Sequence, residues 1–109
     1  MILPIKRKWF DMILSGEKKE EYREIKPYYE TRFMNLFGMI VVNGKLVPST
    51  IPEIPYTPVQ MITFRNGYSK NSPTLEAECT LSVGKGKPEW GAKPGEEYYI
   101  LHIRNTRRI

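Results

Sequence analysis

The chain has 109 residues, 40% of them hydrophobic and 27% charged, which suits one core and leaves little room for two, so residues 1–109 are read as a single domain. Seventeen basic against twelve acidic residues give a formal net charge of +5, a balance that favours anionic partners, nucleic acid first, and is equally met by ordinary solubility charge. One cysteine and one histidine exclude an internal disulfide framework and a metal site of the usual Cys/His kind. No metal or cofactor is expected, and no apolar run approaches the roughly 20 residues that cross a bilayer.

Ile2-Leu3-Pro4-Ile5 is a short apolar run, and Pro4 suits an edge or terminal strand because it cannot donate to a ladder. The run lacks the long apolar core of a signal peptide, so a cytoplasmic protein without a membrane anchor is expected. Trp9, Phe10, Ile13 and Leu14 then form the stripe of a short helix over Lys8–Ser15. Gly16 is placed to cap it in the left-handed conformation.

Lys18 to Ile25 reads as extended. Alternation puts Lys19, Glu21, Arg23 and Ile25 on one face and Lys18, Glu20, Tyr22 and Glu24 on the other. Charges on both faces imply an exposed edge strand or the wall of a polar cleft. Lys18 and the Glu21/Arg23 face cannot point the same way in regular geometry, so a bulge after Gly16, or reach from the strand's start, is needed to bring them together.

Pro27 suits the first turn of a second helix. Tyr28, Tyr29, Arg32, Phe33, Leu36 and Phe37 continue it at helical spacing, and Gly38 ends it. Met39-Ile40-Val41-Val42, Asn43-Gly44 and Leu46-Val47 read as a hairpin with a type I′ turn. The four prolines between Pro48 and Pro58 make a semi-rigid loop that acts as a lid or a linker.

Val59–Arg65 alternates as a strand, and Asn66 to Pro73 is a turn-rich loop. Leu75, Ala77, Cys79, Leu81 and Val83 form the inner face of the longest strand, with Cys79 a buried structural thiol. Gly84-Lys85-Gly86-Lys87-Pro88 breaks it without the spacing of a phosphate-binding loop. Trp90-Gly91 and Lys93-Pro94-Gly95 are turns, and Tyr98–Ile103 is the last strand. The following stretch Arg104-Asn105-Thr106-Arg107-Arg108 is the best local basic patch. No Ser-His-Asp or Cys-His set is legible for nucleophilic catalysis. Two early helices and a run of strands argue for α+β, with the strands closing into a small mixed barrel.

Gly16-x-Lys18-x-x-Glu21-x-Arg23, following a strand and a short helix, resembles the signature of the ASCH domain, a member of the PUA-like superfamily of small β-barrels. The likeness covers nearly the whole chain. Asn66-Gly67 after a middle strand, the long strand Leu75–Val83, the turn with Trp90 and the closing strand Tyr98–Ile103 all fit the domain's layout, with residues 43–58 as an insertion. The resemblance implies an α+β fold: a small mixed PUA-like β-barrel of five or six strands with two short helices. It also implies a cleft between the first helix and the sheet, lined by Lys18, Glu21 and Arg23.

The superfamily is associated with RNA and modified nucleosides. One ASCH branch deacetylates N4-acetylcytidine with a Lys, a Thr and a Glu, and another member is reported as a ribonuclease. The branch's Lys corresponds to Lys18. Its Thr falls at Glu21, and its later Glu has only Glu76 and Glu78 as candidates. The expected function is therefore binding of RNA or a nucleotide through Lys6, Trp9, Lys18, Glu21, Arg23, Asn66 and Tyr68, with Trp9, Tyr68 or Trp90 available to stack a base. The alternatives are a small hydrolase of a modified nucleoside or a ribonuclease, with Lys18 and Glu21 as the catalytic pair.

Overall fold

The computed structural model describes residues 1–49 and 58–109. In chain order these form β1 (Ile2–Pro4), α1 (Arg7–Ser15), β2 (Glu20–Glu24), α2 (Pro27–Phe37), β3 (Met39–Val42), β4 (Lys45–Pro48), β5 (Gln60–Arg65), β6 (Thr74–Lys85), a 3-10 turn at Pro88–Trp90, and β7 (Glu97–Arg108). Among the described residues no helix is long and apolar enough to cross a membrane. The expected Pro-rich loop lies, over residues 50–57, outside the described part.

Five strands form one mixed sheet in the order β1-β5-β6-β7-β2, with β1 parallel to β5 and the other pairs antiparallel. The sheet curls into a half-barrel rather than the closed barrel expected, and β1 and β2 remain its two edges. Its five strands and the two helices match the expected number. β3 and β4 add a separate hairpin, whose turn has Asn43 at φ 51° and Gly44 at φ 76°, the double positive φ of a type I′ turn.

The curl has a local cause. The β6–β7 ladder slips between Glu78 and Cys79, which pair with Asn105 and Ile103, so Arg104 is an extra residue on β7. Such a bulge bends its strand and sharpens the local twist. Past the bulge the ladder resumes, and β7 runs on to Arg108, five residues beyond the expected end at Ile103. The basic stretch Arg104–Arg108 is thus strand and not a loose patch: Arg107 pairs with Glu76, and Arg108 lies over the Phe10 ring.

Inside the curl, Phe10 and Ile13 of α1 and Phe33 of α2 meet Phe64, Leu75 and Leu101 of the sheet, all fully buried. β6 alternates as its sequence predicts, with Leu75, Ala77, Cys79 and Leu81 inward. Burial raises the Cys79 thiol's pKa to about 12, as expected of a structural cysteine. On the outer face the segment after β6 folds back, and Ala92, Tyr98 and Ile100 make a second small core against Tyr22. Gly86 permits this approach, since a Cβ there would sit 2.6 Å from the Tyr22 ring and 2.7 Å from Ala92.

Candidate functional site

Gly16 ends α1 at φ 85°, and its N–H bonds the Ile13 carbonyl. The chain then doubles back, so that the Lys18 N–H donates to Met12 O at 2.9 Å before β2 begins at Glu20. Lys18 is therefore not part of the strand. It enters from the strand's start, which resolves the facing problem posed by the alternation. Glu21 and Arg23 share the inward face of β2 as expected, whereas Lys19 lies before the strand and is exposed.

The Lys18 side chain is 1% exposed. Its Nζ donates to Glu21 Oε1 at 2.9 Å and to Trp90 O at 2.7 Å, and sits 4.1 Å from the centre of the Trp9 ring. An ammonium has three donors, and these partners occupy them. Burial lowers the Lys18 pKa from its ordinary value, against the raising influence of the Glu21 carboxylate. Glu21 takes Arg23 Nη2 on its other oxygen at 2.7 Å, so one carboxylate joins two cations. Arg23 Nη2 also donates to Pro4 O at 2.9 Å, and Nη1 reaches the Tyr29 hydroxyl at 3.4 Å. Pro4 is in β1 and Arg23 in β2, so the guanidinium spans the two free edges of the curled sheet. Arg23 Nε is buried and has no hydrogen-bond partner among the described residues.

This network is the floor of a cavity of about 410 Å³, within the range that small-ligand sites occupy. Five cations (Lys6, Lys18, Arg23, Lys26 and Lys93) and three carboxylates (Glu21, Glu24 and Glu96) line it, with Trp9, Tyr22, Tyr29, Trp90 and Tyr98 among its walls. Of the residues expected at the site, Lys6, Trp9, Lys18, Glu21 and Arg23 come together here. Trp9 backs Lys18 and packs on Gly91, where a Cβ would come within 3.0 Å of its ring.

Asn66 and Tyr68 do not line this cavity. Asn66 Nδ2 donates to Ile5 O at 2.9 Å, tying the chain after β1 to the end of β5. Tyr68 is 92% exposed beside an adjoining depression. Glu76 and Glu78, the candidates for a later catalytic Glu, are on the outer face of β6, bonded to Arg107 and Asn105 and remote from the cavity lining. Lys26, Tyr29, Lys93 and Tyr98 were not among the expected site residues. Nothing in the spacing of two isolated lysines and two tyrosines signals a shared cavity, because only the curl of the sheet and the fold-back after β6 unite them.

A second polar cluster also escapes the sequence. Ser82 Oγ lies 2.6 Å from His102 Nε2, and Glu20 Oε2 is 3.9 Å from His102 Nδ1. β6, β7 and β2 are neighbours, so a Ser, a His and a carboxylate align across the sheet's outer face. At 3.9 Å the Glu20–His102 contact is too long for a hydrogen bond. Glu20 instead accepts the Tyr22 hydroxyl at 2.9 Å. None of the three residues lines the central cavity. The geometry is that of a cross-strand polar pair whose imidazole lacks the carboxylate hydrogen bond that orients a hydrolytic base.

Comparison with protein-family models, curated proteins and solved structures finds no significant match to this chain.

Proposed function

We propose that the central cavity is the binding site for one nucleotide unit of RNA, in a domain of the PUA-like, ASCH type. The observation that carries this reading is the surplus of cations over carboxylates around a cavity of nucleotide size, with a buried donor, Arg23 Nε, that has no partner among the described residues. Lys18, Glu21 and Arg23 are largely satisfied by one another, so they serve as a rigid floor. The charges left to meet a phosphate are Lys6 and Lys93 on the walls, with Lys26 held only by an exposed pair to Glu24 at 3.7 Å, and the Trp90 and Tyr29 side chains offer apolar surface to a base. An unpaired base from a loop or single strand suits such a concavity. A duplex keeps its bases stacked and shows side chains mainly its backbone and shape.

The test is a titration of labelled single-stranded RNA at low and moderate salt. Phosphate contacts predict tighter binding as salt falls, and a Lys26→Glu/Lys93→Glu double variant loses it. RNA that fails to bind at low salt removes the reading.

The lowered Lys18 pKa favours one second reading, a hydrolase of a modified nucleoside in which Lys18 acts as base or nucleophile. That chemistry requires Nζ to leave Glu21 or Trp90 O on substrate binding. Acetate release from N4-acetylcytidine, followed chromatographically at high protein concentration, distinguishes the two.

A further inference from the structure

We propose that the occupant is not a single nucleotide but a single-stranded stretch of at least three, with one stacking position on each side of the central cavity, at Tyr68 and at Tyr28. This rests on the nucleotide reading above and adds the length and path of the ligand.

The cavity does not stand alone. A depression of about 350 Å³ lies on one side, lined by Pro4, Ile5, Lys6, Asn66, Gly67 and Tyr68. Another of about 510 Å³ lies on the other, lined by Leu3, Pro4, Lys26, Pro27, Tyr28 and Tyr29. Pro4 belongs to all three. Their linings overlap at the end of β1, and taken as one trough the three depressions exceed what one nucleotide requires.

Each junction carries a cation. Lys6 is shared between the central cavity and the Tyr68 side, and Lys26 between the central cavity and the Tyr28 side. Each outer depression also carries an exposed aromatic ring. Tyr68 is 92% exposed and makes no side-chain hydrogen bond among the described residues. Tyr28 is 53% exposed, with the Arg32 guanidinium 3.7 Å from its ring centre.

Tyr68 stands in water beside a concave surface, and Tyr28, half-exposed, carries the Arg32 guanidinium on its ring. Lysines alternating with exposed aromatic rings along a trough are what a single strand needs, the lysines meeting phosphates and the rings stacking bases of any identity. A free mononucleotide would fill the centre and leave both outer rings unused. A protein segment would call for a continuous apolar strip, and here a lysine interrupts the path at each junction.

The experiment measures affinity for a mononucleotide and for a single-stranded RNA hexamer by calorimetry at one low salt concentration. The hexamer is expected to bind at least about tenfold more tightly. Tyr68→Ala and Tyr28→Ala are each expected to reduce the hexamer's advantage by roughly tenfold, on the scale of one lost stack, and Tyr68→Phe and Tyr28→Phe are expected to keep it. Thermal melting of the four variants confirms that each is folded, which two exposed positions favour.

If the mononucleotide binds and the hexamer binds no better, or if both alanine variants keep the full advantage, the extended path is wrong and the one-nucleotide site survives. If neither ligand binds, the nucleotide reading fails and takes this one with it. If polyglutamate of the same charge binds as well as the hexamer, the trough is a general anion surface and the proposal is overturned.

Discussion

Glu21 is the residue on which the ion network turns. Both of its oxygens are committed, one to Lys18 and one to Arg23, and it lies almost wholly out of water. Removing one partner of a buried pair costs more than removing both, because the survivor is left charged and desolvated. Glu21→Gln strands two neighbouring cations, and a loss of about 3–5 kcal/mol is expected in denaturant unfolding. Lys18→Met leaves the Glu21–Arg23 pair intact and is expected to cost less. The reverse ranking would show that Lys18, and not Glu21, organises the network.

The same residues give a pH dependence. A lysine whose folded pKa lies below its unfolded value of 10.5 binds fewer protons when folded. Between the lowered value and 10.5 the unfolded chain therefore holds the extra proton, and stability rises with pH across that window. The stability of the parent relative to Lys18→Met should climb as pH approaches 10.5. A flat difference would contradict the lowered pKa.

Ser82 is the second test at this scale. A Ser–His pair whose imidazole is not oriented by a carboxylate hydrogen bond should not react with a fluorophosphonate probe, and Ser82→Ala should shift stability by no more than about 1 kcal/mol, the usual net worth of a hydrogen bond. Stoichiometric labelling at Ser82 would establish a hydrolytic centre there.

At the scale of elements, two glycines shape the site by different means. Gly16 has open space around its missing Cβ, so Gly16→Ala carries only the strain of φ 85°, about 1–2 kcal/mol. Gly86→Ala puts a methyl into the Tyr22 ring and against Ala92 at under 3 Å. It is expected to destabilise by more than Gly16→Ala and to displace the segment that carries Trp90 and Lys93. Equal melting temperatures for the two variants would show that the fold-back yields easily.

The element boundaries show where local signals suffice. α1, α2, the β3–β4 turn and the inner face of β6 are legible because each rests on a local rule: apolar spacing, a glycine or proline at an end, or Asn-Gly between two apolar runs. The length of β7 is not legible. Residues 104–108 carry three arginines and no apolar residue, and they are strand because β6 offers a partner to pair with and Glu76 an acid for Arg107. Pairing across 31 residues of sequence overrides the local composition.

For the molecule as a whole, the open side of the half-barrel is where β1 and β2 face each other without a ladder. Arg23 bridges them through its planar fork, which reaches Pro4 O, Glu21 and Tyr29 at once. Lysine keeps the charge but not the fork. Arg23→Lys is therefore expected to leave the fold intact and to speed amide exchange in the β1 region, at Ile5 N–H, which bonds Arg65 O. Unchanged exchange there would mean that the β1–β5 ladder alone holds that edge.

By itself the sequence determines the helices, most of the strands, the inward face of β6 and the charged character of the segment after Gly16, since these follow from the spacing of residues close along the chain. Only the tertiary structure decides that Lys18, Glu21 and Arg23 meet, that Trp90 O and Pro4 O complete their bonding, that Lys26 and Lys93 share the central cavity, and that Tyr28 and Tyr68 border the depressions beside it. The turn after Gly16 brings Lys18 to Glu21 locally; the other contacts join positions far apart in the chain, and the curl of one sheet brings them within reach.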